Sequence, residues 1–145
     1  ANDGKNFKPH IVNRIVSTEG KVIKTFEPVV NAELKLKPGV LKIVKDGMRG
    51  VVNEPGGTAG ASKVQNVLMS GKTGTAQAGS DKVKLGDHAW FIAYAPSEDA
   101  SVAMSILVEH GLHGSSAAAP IAKGITETLF KVKSDIKEAK VHENR

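Results

Sequence analysis

The chain contains no cysteine. Disulfides, thiolate metal sites and a thiol nucleophile are therefore excluded. Aromatic residues are scarce, with four Phe, one Tyr and one Trp, which leaves little flat surface for stacking bases. No apolar run approaches the ~18 residues that would cross a bilayer. The opening "ANDGKNFKPH" lacks the apolar core of a signal peptide, so any membrane anchor is expected outside this chain. His110 and His113 stand three apart near a glycine, but no third ligand is identifiable and no metal site is expected. No internal repeat is visible.

What is there fits one domain-sized globular unit. The 145 residues match the common domain size of roughly 100–150, and 40% hydrophobic with 24% charged residues lies near the globular average. The net charge of +5 could mean a polyanionic partner, yet the lysines are scattered among acids. Those in "KLKPGVLKIVKDGMR" suit the solvated face of a helix, so no nucleic-acid partner is expected.

The apolar pattern alternates around Ile11, Arg14 and Val16, turns at Ser17 to Gly20, and resumes with Val22, Ile23 and Phe26, which reads as a β-hairpin. A polar connection leads to Pro38, and Val40, Leu41, Val44, Met48, Val51 and Val52 then recur at helical spacing up to Pro55. "PGGTAG" is a loop by composition. Three strand-like segments follow, "VQNVLMSGKTGTAQ", "HAWFIAYAP" and "SVAMSILVEHG", the last two joined by a turn at Pro96 to Ala100. A polar stretch, Ala78 to Asp87, links the first two. Ser116 is a candidate N-cap for a second helix with Ala118, Ala122, Ile125 and Leu129 along one face. Residues 132–145 read as a charged, fraying tail. The expected fold class is α+β, an antiparallel sheet covered by helices.

The chemistry concentrates in "SGKTGTAQ", Ser70 to Gln77. A phosphate-binding P-loop would need glycine five residues before Gly71, where Asn66 stands, and a helix after the lysine. The following "TGTAQAGS" opposes a helix through its glycines and β-branched threonines. An extended strand at a cleft edge fits better. Alternation would then put Thr73 and Thr75 on one face and Lys72 on the other, and two hydroxyls on one face can donate to one carboxylate. Gly71 and Gly74 remove side chains where another backbone could approach, so an extended peptide could add to this strand.

Lys72-Thr73-Gly74 is also the third motif of the penicillin-recognising serine enzymes. With "FKPHIV", "GMRGVVNEPGGTA", "HAWFIAYAP", "SVAMSILVEHG" and "AAPIAKGI" in order around it, the chain from Lys5 to about Lys131 resembles the last part of the transpeptidase domain of class B penicillin-binding proteins, elongation type. The resemblance implies a partial penicillin-binding-protein/β-lactamase-like transpeptidase fold over residues 1–131. It further implies acyl transfer from D-Ala-D-Ala stem peptides through an acyl-serine, and acylation by β-lactams. Lys72 would act in the cleft, the Thr75 backbone N–H would form part of the oxyanion hole, and Ser70, Gly71, Thr73, Gly74 and Thr75 would line the substrate. No cofactor is implied. A glycosyltransferase would be a partner, and the outer face of the cytoplasmic membrane the location.

Two motifs of that family are missing. No serine has Asn two residues later, and the one S-x-x-K, Ser134 to Lys137, follows the K-T-G instead of preceding it. Ser134 is read as coincidental, the nucleophile is expected upstream of Ala1, and the chain alone is expected to be inactive. Trp90 and Phe91 read as sheet packing, His88 as a hydrogen-bonded structural residue, Asp87 as a surface charge, and Gly56, Gly57 and Thr58 as loop, with contact to the cleft as the lesser reading. The alternative is a stand-alone peptide- or protein-binding module that uses the Ser70–Gln77 strand.

Overall fold

The computed structural model describes residues 1–80 and 83–143, with side chains over 1–79 and 85–131. Two compact units make it up, residues 2–41 and residues 42 onward.

In the smaller unit, β1 (Lys5–Phe7) pairs antiparallel with β4 (Val30–Glu33), and β2 (Arg14–Val16) with β3 (Val22–Thr25). The β2–β3 hairpin is the expected one. Ser17 closes its turn: its N–H donates to the Lys21 carbonyl at 2.8 Å, its carbonyl accepts from Gly20 at 3.0 Å, and its hydroxyl accepts from the Lys21 N–H at 3.2 Å. Of the β1–β4 pair, β4 falls where the sequence suggests only a polar connection, and β1 precedes the expected hairpin. Strands of three and four residues are too short to display a period of two.

The larger unit begins within α1 (Val40–Asn53), which ends before Pro55 as expected. Of its apolar residues Val52 is fully buried and Val51 packs beside it, while Ile43 and Val44 are exposed. A short 3-10 turn, Gly60–Ser62, leads to a three-stranded antiparallel sheet of β5 (Ser70–Ala76), β8 (His88–Ala95) and β9 (Val102–Val108), in the order β5-β8-β9. The polar linker carries a small ribbon, β6 (Gly79–Ser80) against β7 (Val83–Lys84). The first strand starts at Ser70, later than the expected Val64, because Val64 to Met69 pack as irregular chain. The turn between β8 and β9 falls as expected, with the Ser101 N–H on the Ala95 carbonyl at 3.0 Å.

Strand register sorts the side chains into two faces. Gly71, Thr73 and Thr75 lie opposite Ala93, Phe91 and Ala89, and these lie opposite Met104, Ile106 and Val108. This face carries the core, with Phe91 and Ala89 fully buried. Against it packs α2 (Ala119–Glu143) through Ala119 and Ala122, with Ala118 of the preceding turn beside them. Thr126 continues that face with its hydroxyl on the Ala122 carbonyl at 2.8 Å. Ile125 and Leu129, expected on the buried face, are instead 39% exposed. Alanine facing alanine brings helix and sheet close together, and at that spacing Ile and Leu fit only outside the seam.

The N-cap expectation also changes. Ser116 lies inside a π-helical turn, Gly114–Ala118, which precedes α2, and its hydroxyl donates to the His113 carbonyl at 3.3 Å. Beyond residue 131 the backbone of α2 stays helical to Glu143. Residues 144 and 145 of the expected fraying tail lie outside the described residues. No described helix is long and apolar enough to cross a membrane.

Phe91 and Gly71 meet at the centre of this packing, since a methyl group on Gly71 would run into the Phe91 ring. Phe91→Ala is expected to cost about 3–5 kcal/mol as a cavity, and Gly71→Ala about 1–3 kcal/mol as overpacking. Urea unfolding followed by the fluorescence of Trp90 would measure both, and an unchanged midpoint for Gly71→Ala would contradict the contact.

Candidate active site

β5 pairs with β8 on one side, and among the described residues no strand pairs with its other side. A strand edge of this kind presents N–H and C=O groups in a row, ready to receive an extended chain. "SGKTGTA" holds this position because its glycines make room for side chains of β8, Gly71 for the Phe91 ring and Gly74 for Trp90, while Gly114 makes room for the strand itself. A methyl group on Gly74 would lie 3.2 Å from the Trp90 Cβ, and one on Gly114 would lie 2.7 Å from the Gly74 carbonyl oxygen. The start of the π turn is therefore seated on the middle of the motif strand.

The first two residues of the motif are framework. Ser70 is fully buried, and its hydroxyl donates to Ser97 Oγ at 2.8 Å; that oxygen in turn donates to the Leu68 carbonyl at 3.0 Å. The Ser97 N–H adds a bond to the same carbonyl at 2.7 Å. Asn53 at the end of α1 donates from Nδ2 to the Met69 carbonyl at 2.9 Å and to the Arg49 carbonyl at 2.8 Å. Gly71 is buried over Phe91. The strand thus enters the site with its position fixed by α1 and by the β8–β9 turn.

The next four residues are surface. Lys72 and Thr75 are exposed, while Thr73 and Gly74 are half-buried. Register puts Thr73 and Thr75 on one face and Lys72, opposite Ile92, on the other, as alternation predicts. The Lys72 ammonium does not extend straight out. It turns along its own strand and donates to the Thr73 carbonyl oxygen at 2.8 Å. The Thr73 hydroxyl lies 3.3 Å from the hydroxyl of Thr58. Thr73 thus joins the Lys72 ammonium, through its carbonyl, to the Thr58 hydroxyl, through its own, beside an open backbone edge, and ammonium and hydroxyl donors of this kind can bind a carboxylate.

Thr58, which reads from the sequence as loop with cleft contact the lesser option, is brought against the motif strand. Its only signal in the sequence is the glycine pair before it, and a glycine pair marks many loops. Of the other candidates, Phe91 is core and Trp90 lies on the opposite face, 37% exposed. His88 accepts the His110 N–H on Nδ1 at 3.1 Å, and His110 Nδ1 lies 2.7 Å from the Gly86 carbonyl. The two rings, 4.8 Å apart, brace the entry to β8. The Asp87 carbonyl accepts the Leu112 N–H at 2.9 Å, and the His113 N–H donates to the Gly111 carbonyl at 2.8 Å. The described residues hold no group of three His, Cys, Asp or Glu suited to a metal. Ser134 and Lys137 fall within α2 among residues whose side chains are not described.

Known proteins resemble this chain in both sequence and fold. A family profile described as the penicillin binding protein transpeptidase domain matches residues 1–127. The peptidoglycan D,D-transpeptidase MrdA of Haemophilus influenzae is 34% identical over 140 residues, covering 87% of this chain and 21% of that protein. The peptidoglycan D,D-transpeptidase PbpA of Mycolicibacterium smegmatis is 34% identical over 131 residues, 85% of this chain and 25% of that one. The chain therefore spans about a fifth to a quarter of the length of these relatives. Among solved structures, penicillin-binding protein A from M. tuberculosis, an imipenem acyl-enzyme complex, superposes with a TM-score of 0.72 at 27% identity, covering 89% of this chain and 28% of that one.

The buried Ser70–Ser97 pair is what ties the strand to the turn behind it. Ser97→Ala should destabilise the fold by about 1–3 kcal/mol, because it strands the Ser70 hydroxyl in a dry site. Adding Ser70→Ala should recover part of that loss. Thermal melts of the two single variants and the double variant would check it, and strictly additive losses would mean that the hydroxyls do not act as a pair.

Proposed function

Because the chain belongs to the penicillin-binding protein transpeptidase family, we propose that it forms the substrate-binding wall of a peptidoglycan D,D-transpeptidase. The reading rests above all on β5, an edge strand that displays Lys72, Thr73, Gly74 and Thr75 in sequence from a buried anchor at Ser70. The substrate is a stem peptide ending in D-Ala-D-Ala, laid along that edge by β-addition. Its terminal carboxylate is received by the hydroxyls of Thr73 and Thr75. Lys72 adds positive charge to the cleft. The Thr75 N–H serves as one donor to the developing oxyanion, an interaction worth about 2.7–4 kcal/mol when such a donor is lost.

The nucleophile is a serine outside this chain. Its oxygen bonds to the carbonyl carbon of the penultimate D-Ala as the amide breaks, and the terminal D-Ala leaves with the proton. The amine of a second stem peptide then takes the acyl group, releasing the serine. A β-lactam enters the same step but its leaving amine stays attached, so the acyl-serine persists. Alone, without the family's S-x-x-K and S-x-N motifs ahead of its K-T-G, the chain is inactive. The whole protein works at the outer face of the cytoplasmic membrane, held by a membrane anchor outside this chain, beside a glycosyltransferase that supplies the glycan strands.

Covalent labelling with a fluorescent penicillin tests the reading on three proteins: this chain, the full-length product of its gene, and the full-length Lys72→Ala variant. Only the full-length protein should label, and Lys72→Ala should slow it by about 100-fold. A full-length protein that never labels would favour a peptide-binding module on the same strand.

A further inference from the structure

The hydroxyls of Thr58 and Thr73, 3.3 Å apart, come from segments that no strand pairing joins. Thr58 is nevertheless held firmly. On one side, Gly57 is pressed against the end of α1, where a methyl group would come within 2.5 Å of the Gly50 and Val51 carbonyl oxygens. On the other side, Ala59 is 2% exposed and its N–H donates to the Val51 carbonyl at 2.9 Å. The Gly57 N–H also donates to the Glu54 carbonyl at 3.1 Å. Thr58 therefore points from a pinned loop at a residue on a pinned strand. Its own side chain is exposed, so packing does not require a threonine there.

A hydroxyl has one proton and two lone pairs. If Thr73 spends its proton on Thr58, it has none for an anion. If Thr58 donates, Thr73 accepts on a lone pair and its proton is free to point into the cleft. An arriving carboxylate accepts only, which selects the second arrangement. We propose that Thr58 is a positioning residue that donates to the Thr73 hydroxyl and so orients the Thr73 proton toward the substrate carboxylate. This rests on the reading of Thr73 as a carboxylate ligand.

The experiment uses the full-length protein and compares acylation by a penicillin with acylation by the same penicillin carrying a neutral amide in place of its carboxylate. The ratio of the two rates reads carboxylate recognition, which a general loss of folding would not change selectively. Thr58→Val keeps the shape and removes the hydroxyl. It should slow the carboxylate compound by about five- to tenfold, leave the amide compound within about twofold, and keep the melting temperature of the parent. Thr58→Ser should restore the ratio. Thr58→Val combined with Thr73→Val should be no worse than Thr73→Val alone.

If Thr58→Val leaves the ratio at the parent value while Thr73→Val lowers it, the positioning role is wrong and the carboxylate site stands. If Thr73→Val also leaves the ratio unchanged, the reading of Thr73 fails and the proposal with it. Additive losses in the double variant would likewise overturn the relay.

Discussion

The ring of Phe91 lies beneath Gly71, and that contact fixes how β5 sits on the sheet. A side chain at position 71 would have to occupy the space of the ring. Phe91 is fully buried among Ala89, Ala93, Ala118 and Ala122, so it cannot yield. Small residues around one large one bring helix, sheet and motif strand to a close, well-defined spacing. The strand edge that results is held in place by packing, which is what a binding wall needs if it is to meet a ligand without first being ordered.

From this anchor the motif divides its labour. Ser70 and Gly71 are buried and spend their chemistry inward, on Ser97 and Phe91. Lys72 to Thr75 spend theirs outward. Thr73 is the junction, with its carbonyl receiving Lys72 and its hydroxyl meeting Thr58. Hydrogen bonds to a charged ligand are stronger than neutral ones, which is why the proposed reading asks for a few hydroxyls and one ammonium and not for a dedicated cavity.

The two faces of the sheet are unlike. One is sealed by the alanine face of α2, and the other shows Trp90, Ile92 and Leu107 to solvent, each more than a third exposed. Apolar residues aligned on one face in this way are usually covered by another surface.

Local chemistry determined much of this protein from sequence alone. The hairpin turn at Ser17 to Gly20, the span of α1 between Pro38 and Pro55, the turn after Ala95, and the opposite facing of Lys72 and Thr73 all follow from backbone preferences and from periods of two or 3.6, which act within a few residues. Where contacts join distant segments, the tertiary structure decided. It paired β1 with β4, shifted the buried face of α2 from Ile125 and Leu129 to Ala119, Ala122 and Thr126, and moved Ser116 from a helix cap into a π turn. It also brought Thr58 to Thr73. The reason is the same in each case: a short strand, an alanine face and a loop hydroxyl carry almost no periodic signal, and their roles arise only from what the rest of the chain places against them.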